Sequence, residues 1–186
     1  MNRLVDRGAV FAGWVGVGMA LVVAIAFELI VAVQSIVFMA APLIGLVIGI
    51  YANIRAQRRR PRWRVLVNSA YAGLVTGVGM AVIYVALRLV FLYGDTGVLI
   101  NGESLDCRTG PECTYMRYVE AGRADDLAGV GVTNAATYEA AALREQFFGG
   151  LTLVGLTVGG ALVGGVGRAL GSAAARPEDE PAPAAV

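Results

Sequence analysis

The sequence predicts an all-α integral membrane protein whose four helices cross the bilayer as a compact bundle, and three observations predict it. The 186-residue chain is 57% hydrophobic and 16% charged, with mean hydropathy +0.66, far from the balance of a soluble domain. Four apolar runs, 9–33, 35–54, 65–93 and 147–170, are each long enough for a hydrocarbon core of ~30 Å, which takes about 20 helical residues. All fifteen basic residues are arginine, and six of them lie in the ten residues 55–64. So basic a short loop stays cytoplasmic.

Residues 1–8 read as a cytoplasmic N-terminus with Arg3 and Arg7. These precede the first run and Ala24-Ile25-Ala26 is a small-x-small site, so a signal peptide is the alternative there. The apolar character continues through Phe27, Leu29, Ile30 and Val31, which favours an uncleaved helix over 9–33. Only Gln34 and Ser35 separate it from the second run. A single helix of the combined length would overshoot the bilayer, so a tight hairpin is expected. Pro42 predicts a kink in the helix over 35–54, because its ring frees a carbonyl.

The loop 55–64 carries Arg55, Arg58, Arg59, Arg60, Arg62 and Arg64. Retention of the loop inside explains the cluster, and contact with anionic lipid headgroups is the functional reading, at about 1 kcal/mol per arginine near such a surface. A juxtamembrane run needs no nucleic acid to explain it. After the third helix, 65–93, residues 94–146 fall outside; they hold nine acidic residues against four arginines. Within them Asn101-Gly102 between apolar flanks predicts a small β-hairpin with a type I′ turn. Residues 134–146 read as a short helix leading into the fourth span, 147–170. The tail 171–186, Ala, Pro and acid, has too little apolar bulk to fold. Arg168 and Arg176 agree with a cytoplasmic C-terminus. Absence of Lys beside abundant Ala, Gly and Val suggests a prokaryotic protein, hence a multi-pass protein of the prokaryotic cytoplasmic membrane.

Small residues recur at intervals of three and four, which share one helix face: Ala9, Gly13, Gly16, Ala20 and Ala24 in the first span, Ala70, Gly73, Gly77 and Ala81 in the third, Gly160, Gly164, Gly167 and Gly171 in the fourth. Such stripes let helices approach closely in lipid, within one chain, with a membrane-protein partner or in a homo-oligomer. Two ionisable residues interrupt the spans: Glu28 in the first and Arg88 in the third. Both fall five residues short of the outer end, about 7 Å deep at 1.5 Å per residue, so an intramembrane ion pair is expected. It sets helix register or lines a polar path. Trp63 and Tyr51 mark the inner interface, Phe91, Tyr93, Phe147 and Phe148 the outer one; Trp14 is expected to pack inside.

Chemistry is bounded by what is missing. The chain has no His, which excludes histidine-based zinc sites and Ser-His relays; it has no Lys, which excludes Schiff bases and a P-loop. No Asp lies in any span, which excludes an intramembrane aspartyl pair; Asp125-Asp126 or Glu103 with Asp106 are the carboxylates left for chemistry or a hard cation, and as adjacent acids in a solvated loop they read as surface, so no enzyme, cofactor or metal is expected. Cys107 and Cys113 flank a turn at Gly110-Pro111 and, placed outside, form a disulfide, with a redox pair or half a metal site as the alternatives. The layout resembles that of tetraspanin-type proteins in topology, without the paired-cysteine signature of their large loop. The expected function is that of a non-catalytic accessory or interaction component that presents the clipped loop. The alternative is an oligomeric small transporter or channel using Glu28 and Arg88.

Overall fold

The computed structural model describes residues 5–26, 34–54, 61–99 and 102–174, with the side chains of Gln34 and 171–174 left aside. All regular structure in these residues is helical: α1 Arg7–Ala24, α2 Gln34–Ile54, α3 Arg62–Gly94, α4 Pro111–Glu120, α5 Ala124–Gly129 and α6 Ala135–Ala174. Four of the helices, α1, α2, α3 and α6, are long and apolar enough to cross a membrane.

Each end has a local cause. The backbone carbonyl of Asp6 accepts from the amides of Ala9 (3.0 Å) and Val10 (3.1 Å), opening α1. Helix α3 starts after Pro61, whose φ of −63° suits a helix entrance. Asn134 caps α6: its Oδ1 accepts from the Thr137 amide at 2.9 Å, and the Thr137 hydroxyl accepts from the Asn134 amide at 3.1 Å. This reciprocal pair satisfies amides that the first helical turn leaves open.

Helix α1 packs on α2 and α3, α6 packs on the same two, and α2 touches α3. Contacts climb together along α2 and α6, from Pro42 beside Gly160 to Leu46 beside Gly164. They run oppositely along α3 and α6, from Gly73 beside Ala161 to Tyr84 beside Gly149. Gly13 beside Val75 and Val17 beside Gly79 make α1 and α3 parallel. The chain therefore alternates in direction, and the segment 95–134 lies at the end opposite to Ile54 and Pro61.

The closest approach is between α2 and α6. A methyl group at Gly45 would collide with the Thr157 carbonyl, one at Gly49 with that of Ala161, one at Gly160 with that of Pro42 and one at Gly164 with that of Leu46. Two G-x-x-x-G stretches, Gly45 to Gly49 and Gly160 to Gly164, thus lie backbone to backbone. On its other side α6 meets Gly73 and Gly77 of α3. Helix α1 buries its whole small stripe, Ala9, Gly13, Gly16, Ala20 and Ala24. Between the helices sit Val37, Ile48, Met80, Tyr84 and Leu153, each at most 1% exposed. Buried hydroxyls are satisfied locally: Thr157 donates to Leu153 O at 2.7 Å and Thr76 to Gly13 O across α1 and α3 at 3.4 Å.

Several expectations change. The β-hairpin reduces to one bridge, Val98 with Ser104, closed by Leu99 N–H to Glu103 O at 2.8 Å; Gly102 takes a φ of +84° but Asn101 lies outside the described residues. The helix expected over 134–146 is no separate element, since nothing between Ala135 and Ala174 breaks it. Helices α4 and α5 stand where a loop was expected. Trp14, expected inside, is 67% exposed, because α1 turns its small stripe inward and its bulk outward. Gly167 meets no atom within 4 Å of an added Cβ, so it stands in open space rather than at a helix contact.

Candidate functional site

The segment between α3 and α6 is built around Asp95, the first residue beyond α3. Its Oδ1 accepts from the Gly97 amide at 2.8 Å and from Arg117 Nη2 at 2.6 Å, and its Oδ2 accepts from Arg117 Nε at 3.2 Å and the Thr114 hydroxyl at 3.2 Å. Arg117 Nη1 reaches on to Val98 O at 3.0 Å. Burial alone pushes the Asp95 carboxyl up, yet Arg117, Gly97 and Thr114 together outweigh it and hold the group below its ordinary range. The guanidinium fork gives the pair a fixed geometry, so Asp95 locks the exit of α3 to the middle of α4.

Cys107 and Cys113 make the second tie. Their sulfurs lie at disulfide distance, 1.97 Å, with Cα atoms 5.2 Å apart. Gly110 turns the chain with a φ of +105°, which a residue with a Cβ resists, and its amide donates to Asp95 O at 2.7 Å. Pro111 then opens α4, placing the fully buried Cys113 in its first turn. Gly97 passes beneath: with φ +76°, a Cβ there would sit 2.6 Å from the Cys107 sulfur. The spacing of the cysteines announced the clip, whereas nothing in the sequence announced that Asp95, Gly97 and Arg117 converge on it.

The third tie joins α4 to α6. Tyr138 packs between Tyr115 and Tyr118, with ring centroids 6.2 and 5.8 Å away, while the Tyr115 hydroxyl donates to Thr133 O at 3.0 Å. The Tyr93 hydroxyl donates to Glu139 at 2.6 Å, binding α3 to α6. The outcome is a braced platform, residues 95–134, in which Glu103, Asp106, Glu112, Glu120, Asp125 and Asp126 are exposed together with Arg108 and Arg123. Among the described residues no three His, Cys, Asp or Glu side chains gather closely enough to hold a metal ion.

Of the two charges expected to pair, Glu28 and Arg88, Glu28 lies outside the described residues. Arg88 is partly buried, its guanidinium carbon 5.8 Å from the Tyr84 ring centroid. It lies between two α3–α6 contacts, Tyr84 with Gly149 and Tyr93 with Glu139, at the level of Arg144 and Glu145. Both helices become polar at that level. At the other end Arg62 and Arg64 begin α3, with Arg64 5.5 Å from the Trp63 ring centroid; Arg55, Arg58, Arg59 and Arg60 lie outside the described residues. There Asn53 donates to Gly49 O at 2.9 Å and Ser69 Oγ at 2.7 Å, and Asn68 donates to Asp6 at 2.8 Å. Gly73, Gly77, Gly160 and Gly164 are all at helix contacts; Gly45 and Gly49, equally placed, were legible as a G-x-x-x-G pattern.

Comparison with known proteins finds no matching family model, no matching curated protein and no matching solved structure.

Proposed function

We propose that the chain is a non-catalytic accessory component of a prokaryotic cytoplasmic membrane, which packs among membrane partners and presents the platform 95–134 outside the cell for contact. The observation that carries this reading is the bracing of the platform. A pure linker needs no ion pair, cystine and tyrosine cluster, whereas a surface that must keep its shape for a partner does. Charge supports the orientation: the platform end is acidic, and the opposite end gathers the arginines that hold loops inside. On that side Arg55, Arg58, Arg59, Arg60, Arg62 and Arg64 contact anionic headgroups.

Photoreactive residues at Glu120 and Val130 test the reading in native membranes. Discrete adducts that disappear when Asp95→Asn loosens the platform are the expected result; adducts indifferent to that change would end the interaction reading. Thiol labelling of the unreduced protein tests the outside placement, since two free thiols would overturn both clip and orientation.

Arg88, charged and partly buried within the apolar outer half of α3, favours a second reading, a transporter or channel that uses it with Glu28. Glu28→Gln and Arg88→Gln beside the double change test the pairing. A double variant tolerated no better than the singles removes its support.

A further inference from the structure

The cystine and the ion pair at the root of the platform share a part. Gly97 lies directly under the cystine, with an added Cβ 2.6 Å from the Cys107 sulfur and 3.2 Å from that of Cys113, so both sulfurs rest on its backbone. The same residue donates its amide to Asp95 Oδ1 at 2.8 Å and accepts from the Leu105 amide at 3.0 Å. On the other side Cys113, Thr114 and Arg117 belong to the first two turns of α4, with Cys113 and Arg117 four residues apart and so on one helix face. Thr114 and Arg117 hold the Asp95 carboxylate, while Gly110, inside the cystine ring, donates to the Asp95 carbonyl. Cystine and ion pair therefore hold the same two pieces of chain together, the exit of α3 and the start of α4.

The cystine is open to attack from one side. Cys113 is fully buried, whereas Cys107 is partly exposed, so an incoming thiolate meets the Cys107 sulfur and Cys113 is the leaving group. The Arg108 carbonyl stands 3.1 Å from the Cys113 sulfur, an acceptor that a cystine cannot answer and a reduced Cys113 thiol can. Two thiols cannot stay at bonding distance. As they part they displace either the Gly97 backbone or the first turn of α4, and each of these carries hydrogen bonds to Asp95.

We propose that Cys107–Cys113 is a redox latch on the platform, coupled through Gly97 and α4 to the Asp95–Arg117 pair, so that reduction by a dithiol loosens both ties together. A thiolate of the dithiol attacks the Cys107 sulfur, the bond between the cysteines breaks, and Cys113 leaves with the electron pair and takes up a proton. The second thiol of the reductant then displaces Cys107, so two electrons and two protons enter the protein and the reductant departs as a disulfide. Coupling of this kind is reciprocal: whatever loosens Asp95 makes the cystine easier to reduce. The latch is a property of the fold, with or without a partner for the platform, and its failure would leave the interaction reading standing.

The test equilibrates the full chain in detergent with mixtures of reduced and oxidised dithiothreitol, counts thiols by alkylation and follows proteolysis between Gly94 and Asn134 in the same samples. In the wild type both should change at one midpoint. Asp95→Asn should move the ratio of thiol to cystine in a given mixture about fivefold toward the thiols, the lower end of coupling between sites. Thr114→Val removes one of the four hydrogen bonds to the carboxylate and should move it the same way by less. Asp125→Asn, the same charge change at an exposed residue of α5, should leave the midpoint in place, and unfolding of the spans should hold still in all three. Equal midpoints for the wild type, Asp95→Asn and Thr114→Val overturn the proposal, as do thiols that appear without faster proteolysis. A midpoint moved as far by Asp125→Asn overturns it too, since charge and not contact would then be the cause.

Discussion

The helical bundle and the platform above it are held together by opposite means. Between α2 and α6 the contacts are backbone against backbone, made possible by the missing side chains of Gly45, Gly49, Gly160 and Gly164. On the platform they are side chain against side chain: Asp95 with Arg117, Cys107 with Cys113, Tyr138 with Tyr115 and Tyr118. On the membrane-spanning reading proposed above, the solvent accounts for the difference. Lipid tails are as apolar as leucine, so apolar bulk gains nothing by leaving them and close van der Waals contact has to hold the helices. Water rewards burial, but so short a segment buries little, and covalent and charge-assisted ties make up the deficit.

Substitutions break this comparison most sharply at the glycines. Gly160→Val forces a branched side chain into the Pro42 carbonyl, and overpacking of this kind costs about 1–3 kcal/mol, more where backbone must yield. Thermal unfolding in detergent should fall for the whole bundle, whereas Gly167→Val, in open space, should leave it in place. Cys107→Ser with Cys113→Ser should cost roughly 2 kcal/mol, the entropy of a short closed loop, and only locally. Proteolysis between Gly94 and Asn134 would accelerate while the unfolding of the spans holds still.

Smaller effects sharpen the contrast. Asp95→Asn keeps the shape of the tie and removes its charge, with an expected loss of about 1 kcal/mol for a well-oriented pair, read in the same proteolysis assay. Because the folded-state pKa of Asp95 lies below its unfolded value, its contribution is full above the ordinary carboxylate range of about 4. It is lost as pH falls further through the folded value. Acid should therefore loosen the wild-type platform and leave the Asp95→Asn variant unchanged in relative terms. At the bottom of the scale Asp126→Asn, which removes the exposed pair with Arg123 at 3.5 Å, should change stability by no more than about 0.5 kcal/mol.

Much of the bundle was legible because its physics is one-dimensional. A span is a run of apolar residues, and a packing face is a period of small ones; both can be counted along the chain, as α1 shows in burying its whole predicted stripe. Period alone does not say which of two faces a neighbour takes. In α3 the glycines at 73 and 77 serve α6 while Thr76 and Gly79 serve α1, and Gly167, though it continues the α6 stripe, stands in open space.

By itself, then, the sequence determined four helices long and apolar enough to cross a membrane, the cysteine pair and the segregation of arginine from acid, all of which follow from local composition and chain length. Only the tertiary structure decided that α2 and α6 run parallel with two G-x-x-x-G stretches face to face. It alone brought Asp95, Gly97, Arg117 and the cystine to one point. Cys107, Cys113 and Arg117 lie 12, 18 and 22 positions after Asp95, and their meeting with it depends on where α3 stops and how α4 folds back over it, which no local pattern encodes.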